Sequence, residues 1–136
     1  MYFRVGQKGI YKNILIYFWT TLGLVILSTV AEMTSYTLFR APAPAGFGLK
    51  ELIILFLLKI LFDFIFIIMF RLSRGSQLAE NGPIYGFLWF LGFSVPSEIG
   101  FWLVFKYEVV IAYAGLLSGL VSFPIKGWIV KKIKLP

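Results

Sequence analysis

With 136 residues, 60% of them hydrophobic and only 14% charged, the chain falls well short of the roughly 25% charged residues of an ordinary soluble domain. Its net charge of +7 would suit nucleic acid, but the basic residues stand at the ends of apolar stretches, where lysine and arginine reach lipid headgroups, which argues against nucleic-acid binding. It contains neither cysteine nor histidine, which argues against thiolate and haem chemistry and against zinc or copper binding, so no metal and no cofactor is expected.

A helix needs about 20 apolar residues to cross the hydrocarbon core of a bilayer. Four stretches meet that length and account for most of the chain. Residues 1–136 are therefore read as a single all-α integral membrane domain, with four transmembrane helices in an antiparallel bundle.

The first helix is expected over about 11–33. Ile14 to Ala31 is longer than the apolar core of a signal peptide, and no clear A-x-A site follows, so it is read as a retained span. Its Thr20, Thr21, Ser28 and Thr29 can bond back to their own helix or across to a neighbour. Glu32 is placed at its end, at the depth of the interface. The connection that follows holds Pro42 and Pro44, which block a helix and favour an extended spacer.

The second helix is expected over 49–72, rich in Phe, Ile and Leu on a lipid-facing surface. Near its middle stand Lys59 and Asp63, four residues apart and so on one face. A charge at that depth costs about 2.5–3.5 kcal/mol on insertion scales, and such residues usually face the bundle interior and pair. The polar, turn-rich run from Arg71 to Gly82 then leads to the third helix.

That helix is expected over 83–105, with Pro83 in its first turn. Gly92, Pro96 and Gly100 recur every four residues and share a face, read as a packing surface. Pro96 has no amide hydrogen and should kink the helix. Glu98 lies two residues beyond it. A short turn, 105–108, makes the third and fourth helices a hairpin.

The fourth helix is expected over 109–130. Gly115 and Gly119 form a GxxxG, and Ser118 and Ser122 repeat the spacing, a small-residue face for close helix approach. The GxxxG could serve a homodimer or the third helix of the same chain. Gly82 and Gly86 are likewise read as a packing motif rather than a nucleotide loop. Pro124 falls near the helix end, before the tail Lys131, Lys132 and Lys134.

Orientation follows from the basic residues. One side gathers both termini and the 71–82 loop, with Arg4, Lys8, Lys12, Arg71, Arg74, Lys126, Lys131, Lys132 and Lys134. The other has Arg40, Lys50 and Lys106. Both termini are expected in the cytoplasm, in the cell membrane. Arg71, Arg74, Lys131, Lys132 and Lys134 form a collar suited to anionic lipid headgroups.

Opposing helices of similar depth bring Lys59, Asp63 and Glu98 together as an expected intramembrane polar cluster. Fully ionised, it would carry one negative charge, which low-dielectric surroundings oppose. A carboxyl that can bind a proton is what a proton-coupled carrier uses, and interrupted helices near the midplane are where many carriers bind ligands. The plainer reading is a structural lock, since buried pairs often supply register. Two function classes follow. The first is a non-enzymatic accessory or scaffold subunit of a membrane complex. The second is a small oligomeric transporter or proton-linked carrier using Lys59, Asp63 and Glu98. A lipid-modifying enzyme is a distant third, because no catalytic pattern stands in the sequence. The partners expected are the bilayer and either further copies of the chain or a larger membrane complex.

Overall fold

The computed structural model describes residues 2–42 and 48–136, with side chains described from Gly9 onward. Residues 43–46 of the expected prolyl spacer, and the side chains of Arg4 and Lys8, lie outside the described residues. Every regular element among them is helical: α1 Tyr2–Phe39, α2 Leu49–Leu72, α3 Gln77–Glu80, α4 Gly82–Trp89, α5 Val95–Phe105 and α6 Val109–Lys132. The segments Gly9–Phe39, Leu49–Leu72, Gly82–Phe105 and Val109–Lys132 are each long and apolar enough to cross a membrane. The chain is thus an all-α membrane protein with four candidate spans.

α1 runs beyond the Met33 expected as its end. The hydroxyls of Thr34 and Thr37 donate back to the carbonyls of Val30 and Met33, at 2.8 and 2.7 Å, within the helix itself. The helix stops where Arg40 turns left-handed (φ 49°) and the Ala41 N–H reaches the Tyr36 carbonyl at 2.9 Å. Pro42 follows and bars another turn. This corrects the placement of Glu32 at the end of the helix: it lies seven residues inside that end, about 10 Å along the axis.

α2 begins with the Glu51 carboxylate accepting from the Gly48 N–H at 2.9 Å, which satisfies one free amide of the first turn. Only one stripe of α2 is buried, Asp63, Phe66, Ile67 and Phe70. The remaining faces of α2 are exposed or half-buried. Asn81 caps α4, accepting from Ile84 N–H at 3.2 Å, with Pro83 in the first turn.

Pro96 shapes the third span differently from a simple kink. Having no N–H, it cannot bond the carbonyl of Gly92. The turn before it, Phe90–Ser94, widens to π geometry, and the Val95 N–H reaches back five residues to the Phe90 carbonyl. Helical geometry resumes at Val95 and ends at Lys106, which is left-handed (φ 48°) with its N–H on the Trp102 carbonyl.

α6 is the most covered span and packs against α1, α4 and α5. Its approach to α4 is backbone on backbone. A Cβ built on Gly86 would strike the Phe123 carbonyl, and one on Gly127 would strike the Gly82 carbonyl. The Gly82 and Gly86 pair thus forms a close intrachain contact. Gly115 and Gly119 receive Glu98 and Ser94: a Cβ there would lie 2.5 Å from Glu98 Cδ and 2.6 Å from Ser94 Oγ. The GxxxG face is occupied by the third span of the same chain, and buried Ser118 and Ser122 continue it. Gly92 and Gly100 differ from expectation, since neither would meet any atom within 4 Å. Beyond the close α4 contact, the third span meets α6 through Phe90, Ser94 and Glu98, while Gly92 lies exposed.

Where backbones stand apart, aromatic rings fill the gap. Phe66 and Phe70 of α2 meet Tyr85 with ring centroids 5.1 and 5.0 Å apart, and Phe62 meets Trp89 at 5.6 Å. Such edge and tilted pairs add about 0.5–1.5 kcal/mol each beyond area burial. The buried Tyr85 hydroxyl donates to the Phe66 carbonyl at 3.0 Å.

Candidate intramembrane polar site

Lys59 and Asp63 share a face of α2, as their spacing requires, yet they do not pair with each other. Lys59 Nζ binds the Glu32 carboxylate on α1. Asp63 Oδ1 accepts from Lys126 Nζ on α6 at 2.5 Å. The expected Lys59–Asp63 partnership is replaced by two interhelical pairs. The physical reason lies in helix geometry: a cation N-terminal to an anion at this spacing is the weaker order. A carboxylate or ammonium on a facing helix can be met head-on instead.

Burial separates the two pairs. The Asp63 and Lys126 side chains are 1% and 4% exposed, whereas those of Lys59 and Glu32 are 25% and 38% exposed. Lys126 also lies 5.0 Å from the centroid of the Phe123 ring, within cation–π range. One oxygen, Asp63 Oδ2, is buried without a hydrogen-bond partner.

Lys126 was assigned by the sequence to the cytoplasmic basic set, and the structure moves it into the bundle. As expected, α6 runs through Pro124, and it continues to Lys132, two residues past the expected end. The missed signal was periodic: Ser118, Ser122 and Lys126 recur every four residues, so Lys126 extends the small polar face.

Glu98 occupies the notch left by the missing side chain of Gly115. It makes no ion pair among the described residues. The Tyr107 hydroxyl, in the turn before α6, donates to its backbone carbonyl at 3.4 Å. Partial burial, and then the nearby Glu98 carboxyl, push the Tyr107 phenol above its ordinary range.

These groups line one cavity of about 480 Å³. Each span contributes charge: Glu32 from α1, Lys59 and Asp63 from α2, Glu98 from the third span and Lys126 from α6. Hydroxyls of Ser94, Ser97, Ser118 and Ser122 border the same space. The structure thus brings all three expected cluster residues to one cavity and adds Glu32 and Lys126. Thr20 and Thr21, in contrast, spend their hydroxyls on the carbonyls of Ile16 and Tyr17, at 2.7 and 2.8 Å.

The chain matches no protein-family model, and comparison with curated proteins and with solved structures finds no similar protein. Function is therefore read from the cavity.

The basic collar lies apart from this site and is partly engaged. Arg74 Nη1 donates to the Leu135 carbonyl at 2.7 Å, and Lys131 donates to the Glu80 carbonyl. Arg71 sits 5.9 Å from the Tyr17 ring centroid, and Lys132 sits 6.0 Å from that of Trp128. Lys134 is exposed. Together with the Tyr17 hydroxyl, which donates to the Pro136 carbonyl at 2.9 Å, these contacts hold residues 133–136 against α1 and the α2–α3 turn.

Proposed function

We propose that the protein is a small, non-enzymatic, proton-linked carrier that works through its four-span cavity. One observation carries this reading: five charged side chains, drawn from all four spans, line a single space large enough for a small solute. A scaffold has little use for them. Each charge at the bilayer centre costs about 2.5–3.5 kcal/mol. Replacing a buried ion pair with apolar side chains is often neutral or stabilising. Ligand sites typically enclose about 300–1,000 Å³, a range that includes this cavity. Within the proposal the spans form an antiparallel bundle in the cytoplasmic membrane, both termini are cytoplasmic, and the working unit is a homo-oligomer or larger assembly. Arg71, Arg74, Lys131, Lys132 and Lys134 then face the anionic inner leaflet.

The test is proton flux in proteoliposomes carrying an internal pH-sensitive dye. Glu98→Gln keeps the shape of the side chain and removes its proton site. It should abolish pH-driven flux while the variant purifies and melts like the parent. Unaltered flux in that variant overturns the role of Glu98.

A second reading, an accessory or scaffold subunit, draws on the outward face of the third span, where Gly92 and Pro96 are exposed and Gly92 has no neighbour within 4 Å. Under that reading the protein copurifies with larger partners in mild detergent, and Asp63→Asn reduces assembly without any flux to lose.

A further inference from the structure

The charges of the cavity do not balance. Lys59 is matched by Glu32 and Lys126 by Asp63. Glu98 remains as a carboxyl without an ion-pair partner among the described residues, seated in the Gly115 notch. A second acceptor is also unmet. Asp63 is 1% exposed and borders the same cavity, and its Oδ2 has no hydrogen-bond donor among the described residues. An orphaned buried acceptor of this kind is uncommon in a native protein and calls for an explanation. The cavity is lined by three carboxyls and two ammonium groups, and the Asp63 Oδ2 in its wall meets no donor among the described residues.

Its walls specify more. Phe62, Phe93, Phe101 and Phe123 line it alongside the carboxyls. Aromatic faces attract cations, most strongly when the cation is out of water. Among the described residues no three carboxylates converge as they would around a metal ion. A small hard cation wants six or more oxygens close at hand. A volume of about 480 Å³ is also many times the share of one water molecule, about 30 Å³. The lining reaches Leu55 and Leu58, which are 44% and 54% exposed on the outer surface of α2, so a solute dissolved in the bilayer has a side entrance.

We propose that the cavity binds a monovalent organic ammonium ion, its charge facing Glu98 and its apolar body lying against Phe93 and Phe101. The inference rests on the carrier reading for its role in transport, and on the cavity alone for binding. One positive charge answers the unpaired Glu98 carboxyl, and an aromatic body lies against the phenylalanine rings.

The probe is radiolabelled phenethylammonium, measured at neutral pH by equilibrium binding to the full chain in mild detergent. Phenethyl alcohol and phenylacetate serve as neutral and anionic competitors of similar shape. The expected result is saturable binding that neither competitor displaces. Glu98→Gln should weaken it by about tenfold or more, the scale of a lost charge contact. Phe93→Ala with Phe101→Ala should weaken it severalfold without touching the charge, which keeps the test open should Glu98→Gln fold poorly. Absence of saturable binding, equal competition by the alcohol, or full affinity in both variants overturns the proposal. The two readings fail separately. Proton flux without ammonium binding removes this inference and leaves the carrier, while binding without flux removes the carrier and leaves the site.

Discussion

At the scale of single residues, the pair formed by Asp63 and Lys126 dominates. Both side chains are almost wholly out of contact with solvent or lipid. Taking away one partner leaves an uncompensated charge, which destabilises by about 3–5 kcal/mol. Lys126→Met alone and Asp63→Leu alone should therefore each lower the melting temperature sharply in detergent. The double variant should recover most of the loss, because two apolar groups of similar size leave no orphan behind. If the double variant melts as low as the singles, the pair does more than cancel charge. Lys59→Met should have the smaller effect, since its pair with Glu32 is partly exposed. The sequence pointed to Lys59 and Asp63 as buried charges, and they are found in the cavity. It could not assign their partners, because those lie 27 and 63 residues away and depend on which helix faces which.

At the scale of elements, helical glycines do opposite things. Gly86 and Gly127 lie where α4 and α6 touch through their backbones. Alanine at either position has no room and must push the helices apart, an overpacking that costs about 1–3 kcal/mol. Gly92→Ala meets open space and should stabilise the helix by about 0.5–1 kcal/mol, provided the π geometry of its turn tolerates it. Thermal melts of the three single variants should rank Gly92→Ala above the parent and the other two below it. The four-residue repeat Gly92, Pro96, Gly100 read as a packing face because periodicity reports a shared face and not its direction. The widened turn at Phe90–Ser94 then decided the direction, turning Ser94 and Glu98 onto α6. The end of α1 was misjudged for a related reason. The helix was expected to end at Met33, but Thr34 and Thr37 keep their hydroxyls within the helix, which ends at Phe39 where Arg40 turns left-handed ahead of Pro42.

At the scale of the whole molecule, the proposed orientation can be checked directly. Returning Lys126 to the bundle leaves Arg4, Lys8, Lys12, Arg71, Arg74, Lys131, Lys132 and Lys134 on the expected inner side against Arg40, Lys50 and Lys106 on the other. The positive-inside bias survives the correction. A reporter joined after residue 136 should be active only in the cytoplasm, and an external signal would reverse the orientation. Taken by itself, the sequence determined that the chain is helical, apolar enough to span a membrane four times, and burdened with charges in the middle of α2. Those properties follow from composition and run length, which are local. Only the tertiary structure decided that the charges from four spans share one cavity, that Lys126 rather than Lys59 pairs with Asp63, and that Glu98 has no counter-ion among the described residues. Pairing across helices depends on rotation and axial offset, both set here by glycine contacts and a proline-induced turn, and no local pattern encodes them.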